Sequence, residues 1–177
     1  MSEGIPFAFK DCPGVYESVR TWLSGRLRVD PKEINITGSA RLGQSLAPRQ
    51  IGKPFDSDSD LDIFIVSKTL FEKLGDDFNK WSYKFESRIV QPSNEREAYF
   101  WKDNNYRGTK LLLRGFIDSK MIPNLESYAI AKNIHQTMWL LKEKLQITTH
   151  APKIANASVR CYVSWEAYVR QTVLNLV

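Results

Sequence analysis

Asp60 and Asp62 stand two residues apart in SDSDLDIFIV, residues 57–66. The apolar run behind them reads as a strand. Side chains alternate between the faces of a strand, so the two carboxylates point the same way. Two like charges that close are costly unless a cation lies between them. Magnesium suits the position: it prefers oxygen donors, keeps some of its water, and is usually held by one or two carboxylates together with substrate phosphates. A pair of metal ions about 4 Å apart activates an attacking oxygen and stabilises a leaving one.

The segment INITGSARLGQ, residues 34–44, supplies the complementary chemistry. A short apolar run ends in Gly38-Ser39. Glycine lets backbone approach a phosphate closely, and a helix starting near Ala40 would aim its first N–H groups at an anion. Ser39 donates from hydroxyl and backbone, and Arg41 is placed for a phosphate. Neither GxxxxGK[ST] nor GxGxxG occurs, which argues against those phosphate loops. Each motif alone has a plain reading, a turn for Gly-Ser and a solvated cap for Asp-x-Asp. Together they are more specific, because acids at the lip of a buried strand serve little structural purpose.

The elements that must position these residues follow from periodicity. Val15, Val19, Trp22 and Leu23 predict a helix after Pro13, ended by Asp30-Pro31. Residues 33–37 predict a strand entering Gly38-Ser39, and 40–57 a helical turn followed by a loop. Leu61 to Val66 predicts a central strand, apolar on both faces. A helix capped by Ser67 or Thr69 then runs to about Phe85, with Leu70, Phe71, Leu74, Phe78 and Trp81 on its apolar side. EAYFW and KLLLRGFI, joined by KDNNYRGT, predict a β-hairpin. A helix from Pro123 to about Leu145 carries Ile130, Ile134, Met138, Leu141 and Leu145. ITTHAPKIANA reads as a linker and Ser158 to Leu176 as a last helix. The expected class is α+β, a small mixed sheet flanked by helices with a C-terminal pair of helices. The expected division is a core over 1–122 and a helical segment over 123–177 packed on it.

The 177 residues, 42% hydrophobic, suffice for a buried core. No apolar run approaches the ~20 residues of a membrane helix, and the N-terminus lacks the pattern of a signal peptide. Two distant cysteines, Cys12 and Cys161, point to a reduced, cytoplasmic compartment. The net charge of +5 suits a nucleotide, a nucleic acid or an ordinary mixed surface.

TGSARLG followed by SDSDLDIFIV resembles the signature of the polymerase-beta-like nucleotidyltransferase superfamily. Gly38, Ser39, Asp60, Leu61, Asp62 and Ile63 fill the places of its Gly-Ser and Asp-hydrophobic-Asp-hydrophobic motifs, over roughly residues 13–122. Ala40 to Gly43 is similar to the turn of minimal bacterial members. The resemblance implies a palm-like core and transfer of a nucleoside monophosphate from an NTP to an acceptor hydroxyl, with Mg²⁺ or Mn²⁺ and release of pyrophosphate. It implies Gly38 and Ser39 at the β- and γ-phosphates, assisted by Arg41, and metals on Asp60 and Asp62. It also implies a third carboxylate that completes the metal site and acts as base. Asp118, at the end of LLLRGFID, is the candidate, with Asp103 and Glu97 as fallbacks. Some minimal members of similar size modify a partner protein, so the resemblance makes a protein or an RNA end the favoured acceptor. Small-molecule transfer, or a nucleotide- or partner-binding module without turnover, are the alternatives.

Other residues have quieter expectations. Asp56 and Asp58 belong to a loop. The aromatic and basic residues of YFWKDNNYRGTK either pack a core or stack a base. His135 and His150 lack metal-ligand spacing. Lys132 or Lys142 could reach a triphosphate. The aromatic helix YVSWEAYV has too many large rings for one packed face, which suggests an interface.

Overall fold

The structure, a computed structural model, describes residues 4–174. It is α+β. Among the described residues, six α-helices accompany four short strands in one small mixed sheet of order β1-β2-β4-β3. The chain divides into two compact units, Met1–Ile65 with Gln136–Val159, and Val66–His135 with Arg160–Val177.

In the first unit, α1 (Pro13–Leu27) opens on Pro13, whose missing N–H costs a helix nothing in its first turn. It buries Tyr16, Leu23 and Leu27 and stops at Arg28 in left-handed conformation. Asp30 and Glu33 then form a reciprocal cap. The Asp30 carboxylate accepts from the Lys32 amide at 2.8 Å, and Glu33 accepts from the Asp30 amide at 2.9 Å. This turn delivers β1 (Ile34–Thr37), which pairs antiparallel with β2 (Leu61–Val66) in a register that sets Thr37 opposite Asp62. The helix expected near Ala40 starts two residues earlier, as α2 (Gly38–Leu42), and Gly43 ends it at φ 85°. As the apolar run predicts, every β2 residue except Asp62 is buried.

The second unit begins with α3 (Lys68–Glu86), which buries Leu70, Leu74, Phe78 and Trp81 as expected. The predicted hairpin is instead one helix, α4 (Glu95–Leu113). Asn94 starts it by accepting from the Glu97 amide at 2.9 Å, and Glu97 returns to the Ser93 amide at 2.6 Å. Trp101, Asn105, Gly108 and Leu112, spaced 4, 3 and 4 apart, meet α3 antiparallel. Trp101 packs edge-on to Trp81 with centroids 5.8 Å apart, and Ser82 donates to Asn105 at 2.6 Å. Gly108 lies under the Phe78 ring, and Leu112 faces Gly75. The Asn and Gly that suggest a turn are therefore contact residues of a helix pair. Arg114 caps α4 rather than sitting in a strand, and Gly115, at φ 84°, turns the chain into β3 (Phe116–Asp118).

Two further expectations change. The helix predicted from Pro123 starts later, as α5 (Ala129–Ile147). Asp77 of α3 accepts from the amides of Ile130 and Ala131 at 2.8 and 3.0 Å, which fixes where the first turn can begin. The start of the predicted last helix is a strand, β4 (Ala157–Tyr162), and α6 covers only Trp165–Leu174. Ala157, Val159 and Cys161 are buried and alternate with half-buried Ser158 and Arg160, a period of two. Cys161 is thus a strand residue, and Asp118 pairs with Arg160 across β3 and β4. Asn175 and Leu176, the end of the predicted helix, lie outside the described residues.

Candidate carboxylate site

The first unit brings Gly38 and Asp62 together. Gly38 sits at φ 67°, and a Cβ built there would lie 3.3 Å from Asp62 Oδ2. The other oxygen, Oδ1, accepts a hydrogen bond from Ser158 Oγ at 2.7 Å. Ser158 was hidden in the sequence because the alternation of 157–162 reads as helix start. Asp62 is exposed although Leu61 and Ile63, its neighbours in β2, are 0% and 1% accessible. Asp60, one residue ahead of the strand, is also exposed. Among the described residues, neither carboxylate forms an ion pair with Lys or Arg.

A built turn delivers Asp60. Asp56 Oδ1 accepts from Ser59 Oγ at 2.9 Å and from the Asp58 amide at 3.0 Å, while the Asp56 amide donates to Ser59 Oγ at 3.1 Å. The Ser59 hydroxyl holds the Asp56 carboxyl below the usual aspartate range; desolvation opposes it, and the Asp58 amide and the Lys53 charge assist. Backbone bonds from Ala155 N to Ser59 O and from Leu61 N to Asn156 O fix the next two residues. Asp56 is therefore a turn builder, and Asp58 is exposed in the same loop.

Ser39 lies in the first turn of α2. Arg41, in its last turn, donates to the Gly4 carbonyl at 2.8 Å.

No family model, curated protein or solved structure matches this chain.

The remaining candidates belong to the second unit. Asp118 caps a 3-10 turn, Ser119–Met121, accepting from the Lys120 amide at 3.0 Å, and its other oxygen lies 3.6 Å from Arg160. Of the fallbacks, Glu97 caps α4 and Asp103 pairs with Arg107 at 3.2 Å. Lys132 is paired with Glu126, and the His135 ring meets the Ile122 carbonyl at 3.1 Å.

Among the described residues, no three His, Cys, Asp or Glu side chains are grouped to hold a metal. Two exposed carboxylates without cationic partners are the protein share that Mg²⁺ uses when phosphate oxygens and water supply the rest.

Proposed function

We propose that the chain is a Mg²⁺-dependent nucleotidyltransferase that moves a nucleoside monophosphate from an NTP to an acceptor hydroxyl, on a protein or an RNA end. One observation supports it above the others: Asp60 and Asp62 are exposed at the lip of a buried strand, without cationic partners, and the Gly38 backbone packs on Asp62. Asp60 and Asp62 would hold the metal, which when bound neutralises phosphate charge and polarises the bond that breaks. Ser158 fixes the Asp62 carboxylate by occupying Oδ1, a positioning role. Gly38 leaves open the space beside Asp62 that a side chain would fill, so phosphates can approach along the backbone. Ser39 donates to them from its hydroxyl, and Arg41 adds charge at the far end of the same turn. Catalysis of this kind is mainly orientation and charge neutralisation.

A second reading has its own support. Asp118, the expected base, is already engaged by the Lys120 amide and by Arg160, which suits a module that binds nucleotide without turning it over. One experiment separates the two. The protein is incubated with each α-labelled NTP, Mg²⁺ or Mn²⁺ and a cell lysate as acceptor source, beside Asp60→Ala/Asp62→Ala. Label on protein or RNA that vanishes in the variant is the expected result. Metal-dependent nucleotide binding without label favours the binding module, and neither binding nor label overturns both readings. Asp118→Asn in the same assay reports on the third carboxylate.

A further inference from the structure

The second unit holds a cavity of about 580 Å³ whose wall carries five cations and one acid: Arg107, Lys110, Arg114, Lys120, Arg160 and Asp118. Arg107 and Lys110 of α4 and Arg114 at its C-cap recur at steps of three and four, so they share one side of the helix and its end. Five positive side chains around one space repel each other and raise the local concentration of anions. Asp118 offsets one of them from within the wall, 3.6 Å from Arg160, and Asp103 offsets Arg107 from outside it. A clear positive excess remains. The volume falls in the range of pockets that enclose small ligands, ~300–1,000 Å³, and three of the five cations are arginines, whose planar forks match phosphate oxygens.

The same helix exposes three large rings. Tyr99, Phe100 and Tyr106 are 73%, 49% and 65% accessible. Each is an amphipathic or apolar face that the core does not use. Two already carry a cation: Lys110 lies 3.8 Å from the Tyr106 ring centre and Arg96 lies 5.9 Å from that of Phe100. Tyr99, Tyr106, Lys110 and Arg114 are spaced 7, 4 and 4 apart, one continuous stripe about 22 Å long at the rise of an α-helix. Exposed rings interleaved with phosphate-binding cations are how proteins hold a single strand, stacking bases while tracking the backbone. An acidic peptide would use the cations and leave the rings idle.

We propose that this cavity and the adjoining face of α4 bind single-stranded nucleic acid, with phosphates at the five cations and bases stacked on Tyr99, Phe100 and Tyr106. The inference stands on the second unit alone. Only the further step, that the bound strand is the acceptor of nucleotidyl transfer, rests on the reading above.

The test uses the full chain with EDTA and no NTP, so that transfer plays no part. Fluorescence anisotropy follows a labelled single strand of about 12 nucleotides as salt rises from about 50 to 200 mM. Binding is expected, steeply weakened by salt. Arg107→Glu/Lys110→Glu should weaken it by about tenfold or more and flatten the salt slope by about one to two, as lost phosphate contacts do. Tyr99→Ala/Tyr106→Ala should weaken it by about tenfold with the slope unchanged. All four side chains are exposed, and a thermal melt of each variant checks that it folds. No binding at about 100 µM protein, binding indifferent to both well-folded variants, or displacement by tripolyphosphate or polyglutamate at equal charge would overturn the inference. Transfer activity with no strand binding removes this inference alone, and strand binding without transfer removes only the earlier one.

Discussion

Gly38 is held at φ 67° with an Asp62 oxygen 3.3 Å from where a Cβ would stand. Left-handed backbone costs an L-residue about 1–2 kcal/mol, so Gly38→Ala should lower stability by about that much, read in a denaturant titration. It should also displace the Asp62 carboxylate, and on the proposed function nucleotide affinity should fall too, read in a binding titration of the folded variant. Asp56 gives a second prediction. Its folded pKa is depressed, first by the Ser59 hydroxyl. The turn therefore gains its contribution at pH values above the pKa of an unfolded aspartate and loses it as pH falls through the lower folded value. In NMR, the Asp58 amide proton, which donates to Asp56, should titrate below the range of ordinary aspartates. A midpoint at or above that range would contradict the turn. The approach of the Gly38 turn to Asp62 was legible in the sequence because each motif is written in a few adjacent letters. Ser158 was not, because its partner lies 96 residues away and neither residue signals the other.

At the scale of elements, α4 shows why local letters mislead. Asn104, Asn105 and Gly108 are turn residues by propensity, yet Asn105 holds Ser82 and Glu86 of α3, and Gly108 is small because Phe78 occupies its space. The helical cues were present in the cap Asn94-x-x-Glu97 and in the spacing of Trp101, Asn105, Gly108 and Leu112. They were outweighed because a polar and a glycine residue sit on the inner face. A Cβ at Gly108 would come 2.2 Å from Phe78 Cε2. Phe78 is fully buried, so Gly108→Ala should cost about 1–3 kcal/mol by overpacking. Asn94→Ala should cost about 1 kcal/mol by removing the cap. The two sites are far apart on the helix, so the double variant should lose their sum within about 0.5 kcal/mol, read from chemical denaturation. β4 was lost for a related reason: a run of six residues shows only three inward positions, and one of them is alanine.

For the molecule as a whole, the class was legible: a short, continuous apolar run at Leu61–Val66 stands beside longer stretches with a helical period of about 3.6 residues, and both survive in the structure. Its two cysteines report on global unfolding. Both are free. Cys161 is fully buried, with Sγ 3.7 Å from the Ser67 carbonyl, whereas Cys12 is partly exposed and its thiol is pushed up by burial and by the Asp11 charge. A thiol reagent at neutral pH should modify Cys12 slowly, because little thiolate is present, and Cys161 only at the rate of unfolding. Mass spectrometry of partly labelled protein should find Cys161 modified only in molecules that carry label at Cys12 as well. The division of the chain bears on synthesis. Each unit is made of two stretches, and the first is complete only when Val159 has been made. At ~5–20 residues per second, the ribosome needs about 5–20 s to travel from Ile65 to Val159. Over that interval the apolar strand β2 lacks its full complement of neighbours, and a nascent chain in that state suits a holding chaperone once the strand emerges.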